Sequence, residues 1–151
     1  MKMKKLIFTI LFTLVLSGGA FAQSLITIQK YLQDNVDFLD DPITLSYLMN
    51  RCSAAYVFAS IITDKKMPET ADKFTKAATD NYQFSVQVLI KELNYDFYKA
   101  DKKTKQEIDT MLKYYQKDGE DFYARTGKYM ENNYIGEDIQ SCNFLYQSFN
   151  N

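Results

Sequence analysis

Apolar residues recur every three or four positions along most of the chain after residue 22, and few residues interrupt this pattern. Only three glycines and two prolines occur after residue 22. An all-β domain of this length would need many more turn-forming residues between its strands. The sequence therefore predicts an all-α fold.

The breaks in the apolar pattern predict four main helices and a short fifth one. Asp41 and Pro42 form a capping residue followed by a proline at the first helical position. A second break is expected at Ala100–Asp101, with the aspartate as a cap. We expect residues 23–151 to form a single helical domain, an antiparallel four-helix bundle with a short C-terminal fifth helix.

The first 22 residues have the three parts of a cleaved secretory signal peptide. Basic residues precede an apolar stretch over Leu6–Leu16, and Ala20 and Ala22 supply the small residues that signal peptidase recognises. We predict cleavage between Ala22 and Gln23, and export to the periplasm or the extracellular space. The alternative is an uncleaved membrane anchor, but the apolar stretch is shorter than the roughly 17–25 residues that span a bilayer.

Cleavage at that site would leave an acidic protein. It removes three of the 18 basic residues and none of the 19 acidic ones, so the mature chain has a net charge of −4 at neutral pH. Nucleic-acid binding is not expected, because nucleic-acid phosphates attract a basic face. No transmembrane anchor is predicted in the mature chain.

Cys52 and Cys142 are the two cysteines of the chain, and both fall on apolar helical stripes. Export would place them in an oxidising compartment, where an even number of cysteines predicts a disulfide. The bond would join an early helix to the last one. Two buried thiols or an intermolecular bond are the alternatives.

The chain contains no histidine, which excludes several kinds of active site. Serine or cysteine relays that use histidine are impossible, and so are zinc and haem sites that depend on imidazole. A di-iron site built on Glu-x-x-His in a helical bundle is also excluded. We therefore predict no metal site, no cofactor and no catalytic residue.

Paired carboxylates are a catalytic device that needs no histidine. Glu92 and Asp96 lie one helical turn apart, and Glu107 lies close to Asp109. A glycosidase needs two carboxyl groups about 5–10 Å apart beside a cleft. Charged helices supply such spacings often, so a carboxylate-dependent hydrolase ranks last among the functions considered.

Four aspartates lie close together between the first two predicted helices: Asp34, Asp37, Asp40 and Asp41. They lack the alternating oxygen ligands and the central glycine of a calcium-binding loop. We interpret them as charges at helix ends, with Asp41 as an N-cap.

Tyrosine is abundant, and many of the 12 tyrosines occur late in the chain. They cannot all face one core, and tyrosine is favoured at interfaces because it buries a large area and keeps a polar end. The expected interaction face consists of Tyr95, Tyr98, Tyr114, Tyr115, Tyr123 and Tyr129. The alternative is that these tyrosines belong to the core, with hydroxyl groups that reach solvent.

These observations favour a non-enzymatic binding module that contacts another protein or a component of the cell envelope. The first alternative is a carrier of a small apolar ligand in the bundle interior. The second predicted helix also has a face of small residues, which predicts either close helix packing or a groove: Ser53, Ala54, Ala55, Ala59 and Ser60.

Overall fold

The computed structural model describes residues 24–150, and that part of the chain folds into five α-helices without a β-strand. The helices are α1 (Ile28–Asp34), α2 (Pro42–Thr63), α3 (Pro68–Leu93), α4 (Phe97–Thr126) and α5 (Tyr134–Asn150). The predicted all-α fold is confirmed. None of these helices is both long enough and apolar enough to cross a lipid bilayer. The predicted signal peptide and its cleavage site at Ala22 and Gln23 lie outside the described residues.

Helix α2 is central and contacts α3, α4 and α5. Buried residues make up 15 of its 22 positions, so it is surrounded by protein on most sides. Its start follows the predicted pattern. The carboxylate of Asp41 accepts a hydrogen bond from the amide of Ile43 (3.0 Å), and Pro42 occupies the first helical position.

Small hydroxyl residues hold α2 against α3. Hydrogen bonds that join the two helices include Ser46 Oγ to Ser85 Oγ (2.8 Å), Ser53 Oγ to Ala78 O (2.9 Å) and Ser60 Oγ to Thr75 Oγ1 (2.8 Å). Low-numbered residues of α2 bond to high-numbered residues of α3, so the two helices run in opposite directions. The small-residue face of α2 therefore allows close packing against α3, and two of its members, Ser53 and Ser60, also line a groove.

The short helix of this fold is α1, and the prediction of a short C-terminal helix is wrong. Helix α1 has seven residues, whereas α5 has 17. Apolar residues at helical spacing continue from Leu25 to Leu39 in the sequence, but α1 ends at Asp34. The side-chain amide of Asn35 donates to the carbonyl of Tyr31 (2.8 Å), which satisfies a backbone group that the helix end leaves free. Val36 and Leu39 then lie exposed in the following turns.

The break between α3 and α4 lies earlier than predicted. Asn94 adopts a left-handed conformation (φ 53°) that ends α3. The carboxylate of Asp96 caps α4 by accepting a hydrogen bond from the amide of Lys99 (2.8 Å). Ala100 and Asp101, where the break was expected, therefore lie inside α4, and Ala100 is buried.

The predicted disulfide between Cys52 of α2 and Cys142 of α5 is confirmed. The two Cα atoms are 5.4 Å apart, and both residues are buried. The bond ties the last helix to the central one.

Gly119 is a contact point between α4 and α2. A β-carbon at this position would lie 2.4 Å from Cζ of Phe58, whose buried ring packs against Tyr115 and Tyr129. We expect Gly119→Ala to lower the free energy of unfolding, since overpacking costs about 1–3 kcal/mol and the gain in helix propensity returns only about 1 kcal/mol. Urea denaturation measures the change. A variant more stable than the parent protein would contradict this account of the contact.

Candidate functional site

A buried charged network joins α2, α4 and α5 at the centre of the fold. Arg51 Nη2 donates to Asp138 Oδ2 (2.6 Å), Arg51 Nε donates to the hydroxyl of Tyr115 (3.1 Å), and that hydroxyl donates to Asp138 Oδ2 (2.6 Å). Both charged side chains are 0% exposed. Burial lowers the pKa of Arg51, but Tyr115 and Asp138 outweigh this effect and raise it. Burial, with the nearby Asp138 charge, raises the pKa of Tyr115.

The same network fixes the segment that precedes α1. Arg51 Nη2 also donates to the carbonyl of Ile26, and the amide of Ile28 donates to Asp138 Oδ1 (2.7 Å). Because the charged groups are enclosed and bond to one another and to backbone, they are not placed to meet a substrate. We interpret the network as structural.

Sequence reasoning missed this network, although one signal was available. Arg51 stands in an apolar part of α2, and the residues three and four positions away are Tyr47, Leu48, Ala54 and Ala55. A buried arginine needs an acidic partner, so the lack of a local one implies a distant carboxylate. The sequence does not show which of the 19 acidic residues that carboxylate is.

A groove of about 480 Å³ opens between α2, α3 and α4, and it is here called the three-helix groove. Each helix contributes a stripe of residues three or four positions apart. The lining residues are Ser53, Val57, Ser60 and Ile61 from α2, Thr75, Ala78, Thr79 and Tyr82 from α3, and Lys105, Ile108, Asp109 and Leu112 from α4.

The hydroxyl groups in the three-helix groove are already hydrogen-bonded within the protein. Ser53 donates to a backbone carbonyl of α3, and so does Thr79 (2.9 Å each), while Ser60 and Thr75 bond to each other. These groups do not require a polar ligand. A ligand in this groove would be recognised mainly through contact with the aliphatic side chains.

The charged side chains at the edge of the three-helix groove also have partners within the protein. Lys105 Nζ lies 2.9 Å from Asp101 Oδ2, and the hydroxyl of Tyr82 donates to the same carboxylate. The hydrogen bond to Asp101 raises the pKa of Lys105, and the hydrogen bond from Tyr82 lowers the pKa of Asp101. The edge therefore carries no unpaired charge at these residues.

A second groove of about 400 Å³ lies between α2, α4 and the segment before α1. It is lined by Leu25, Tyr47, Lys103, Gln106, Glu107, Thr110, Met111 and Tyr114. Asn50 Nδ2 donates to Glu107 Oε2 (2.6 Å), while the buried Oδ1 of Asn50 has no hydrogen-bond partner among the described residues. Lys103 also bonds to Glu107, so the one carboxylate of this groove is fully engaged.

Tyr115 cannot belong to the predicted tyrosine interaction face. It is fully buried, and its ring stacks near those of Phe58 and Tyr134. Its place in the core follows from its hydroxyl group, which is needed by the Arg51 network. At this position the core alternative is correct.

The other five predicted tyrosines do not form one continuous surface. Tyr95 and Tyr98 lie near the start of α4, and Tyr114 lines the second groove. Tyr123 and Tyr129 stack on each other at the other end of α4, with ring centroids 4.3 Å apart. At about 1.5 Å of rise per residue, the two ends of this set lie roughly 35–40 Å apart.

The pKa shifts of carboxyl groups give no support to a carboxylate-dependent hydrolase. Hydrogen bonds from neighbouring side chains lower the pKa of Asp41, Asp80 and Asp101. At Asp118 burial raises the pKa, but hydrogen bonds, among them one from Tyr134, outweigh it. A general acid needs a raised pKa. Within residues 24–150, no group of three or more acidic or cysteine side chains is placed to hold a metal ion.

Comparison with protein-family models, curated proteins and solved structures finds no match for this chain. The two grooves are therefore weighed by their own geometry. The three-helix groove is the larger, and its lining polar groups are satisfied. The second groove is smaller and has fewer aliphatic lining residues. The three-helix groove is the better candidate for binding through apolar contact.

Proposed function

We propose that this protein is a non-catalytic binding module that holds a partner in the three-helix groove. The observation that carries the proposal is a groove of about 480 Å³ with aliphatic walls and internally bonded polar groups. Burial of apolar surface then remains as the main driving force for binding. The partner is another protein, or a component of the cell envelope, that inserts apolar groups between α2, α3 and α4.

Export to the periplasm or the extracellular space is part of the same proposal. The signal-like residues 1–22 support it, and so does the disulfide between Cys52 and Cys142, because such bonds persist in oxidising compartments. We further propose that α2 to α5 form an antiparallel four-helix bundle with α1 as the added short helix. The opposite directions of α2 and α3 support this arrangement.

Carriage of a small apolar ligand is the second candidate function. The volume of the three-helix groove falls within the roughly 300–1,000 Å³ of typical ligand pockets. The groove is open to solvent rather than enclosed, which favours a partner that covers it.

Ile61→Glu tests the groove. Ile61 lines the groove and is 55% exposed, so the variant should fold. Its glutamate would place a charge against the apolar groups of the partner. We expect the affinity for a neutral apolar dye, N-phenyl-1-naphthylamine, and for a captured envelope partner to fall about tenfold or more. Dye fluorescence and quantitative capture from envelope extract, with the exported protein as bait, measure the two affinities.

Ile26→Glu is the matched control, because Ile26 is 50% exposed and lies outside the groove. We expect it to retain binding, and circular dichroism verifies that both variants fold. Equal losses in the two variants would contradict the groove assignment, and so would unchanged binding by Ile61→Glu. Dye binding that depends on Ile61 without capture of any partner would favour the carrier.

A further inference from the structure

The connection between α1 and α2 exposes large apolar side chains next to acidic ones. Val36 and Leu39 are 76% and 58% exposed, and Ile43 at the start of α2 is 62% exposed. Asp37 and Asp40 are exposed between them. These five residues are here called the connection surface.

Backbone hydrogen bonds hold this surface in a defined shape. The amide of Phe38 donates to the carbonyl of Asn35 (3.1 Å), and the amide of Asp40 donates to the carbonyl of Asp37 (2.9 Å). The ring of Phe38 packs against the hydrophobic core, and this contact fixes the connection to the rest of the fold. Val36 and Leu39, which lie on either side of Phe38 in the sequence, remain exposed.

The acidic residues of the connection differ in whether they have partners within the protein. Asp34 pairs with Lys30, and Asp41 is engaged as the cap of α2. Asp37 and Asp40, by contrast, form no ion pair with any residue of the described chain. The exposed apolar side chains therefore lie next to two carboxylates that have no basic partner in the described chain.

This charge pattern selects among the surfaces that could cover the apolar residues. In a symmetric dimer through this surface, a second copy of the chain would bring its own Asp37 and Asp40 against the same two carboxylates, and like charges across an interface are costly. An anionic lipid surface would be repelled for the same reason. A basic partner is attracted by the carboxylates of Asp37 and Asp40 and can bury the apolar side chains of the connection surface.

We propose that the connection surface binds a basic amphipathic segment of a partner protein. Its apolar side chains would cover Val36, Leu39 and Ile43, and its lysine or arginine side chains would face Asp37 and Asp40. Such segments bind by burying one apolar face, while charge sets orientation and association rate. This surface is distinct from the three-helix groove, so the inference goes beyond the proposed function.

A labelled synthetic helical peptide of leucine and lysine, with the leucines on one face, serves as the probe. Fluorescence polarisation with the exported protein should show saturable binding that weakens as salt is raised. Leu39→Ser should weaken the affinity about tenfold or more by removing apolar contact area. The exposed position of Leu39 allows this variant to fold.

Two charge variants distinguish binding at the connection surface from a general attraction of the basic peptide to an acidic protein. Asp37→Asn with Asp40→Asn should weaken binding and flatten its salt dependence. Glu69→Gln with Asp72→Asn makes the same change of net charge on exposed positions of α3, and it should leave binding nearly unchanged.

Several results would overturn the proposal. One is no binding of the peptide, and another is an equal effect of the two charge variants. Loss of binding in Ile61→Ser but not in Leu39→Ser would move the peptide to the three-helix groove. Binding of phosphatidylcholine vesicles through Leu39, without peptide binding, would identify a membrane contact instead.

Discussion

Asp138→Asn is expected to lower the free energy of unfolding by about 3–5 kcal/mol, the usual cost of breaking a buried ion pair. The substitution leaves the guanidinium of Arg51 inside the protein, 0% exposed, without its compensating charge. Arg51 is also bonded to the hydroxyl of Tyr115 and to the backbone of Ile26, so it cannot easily turn towards solvent. Urea denaturation at neutral pH, followed by circular dichroism, measures the loss.

Asp109→Asn is the matched control for this prediction. Asp109 pairs with Lys113 at the surface, where 61% of the aspartate side chain is exposed, so its neutralisation should change stability little. The double variant Arg51→Met with Asp138→Asn should lose less than the sum of the two single variants, because neither charge is left alone. If Asp138→Asn costs no more than Asp109→Asn, the network does not stabilise the fold.

Much of the helical architecture could be predicted from local sequence. Asp41 and Pro42 mark the start of α2 because capping and proline geometry depend only on adjacent residues. The ends of α1 and α3 could not be predicted in the same way. Apolar residues at helical spacing run past Asn35, and Phe97 follows Leu89 and Leu93 at a spacing of four, so the pattern alone does not show where the backbone turns.

The three-helix groove could not be predicted from the sequence of any single helix. Ser53 and Ser60 were recognised as part of a small-residue face, but a groove forms only where the stripes of three helices meet. The positions of the tyrosines could not be predicted for a related reason. Residues that are close in sequence on a 30-residue helix are spread along its length and around its axis, so Tyr115 points inward while Tyr98 is exposed.

Removal of the disulfide by Cys52→Ala with Cys142→Ala is expected to lower the free energy of unfolding by about 2–5 kcal/mol. The bond closes a loop with a sequence separation of 90 residues, so its loss lets the unfolded chain occupy many more conformations. Both positions are buried, and alanine leaves no polar group unsatisfied there. Guanidinium denaturation of the two proteins measures the loss.

The dependence of stability on denaturant tests the mechanism of that loss. If the disulfide acts on the unfolded state, the variant should unfold with a larger m-value, because its unfolded chain exposes more surface. Amides that exchange only through global unfolding should then accelerate together in every helix, because the free energy of that global unfolding is what falls. An unchanged m-value, with acceleration confined to α5 and to α1, which packs against it, would instead show that the bond acts locally on the folded state. Free thiols at Cys52 and Cys142 in non-reducing mass spectrometry of the parent protein, produced under oxidising conditions, would remove the basis of the prediction, since the chain would then fold without the bond.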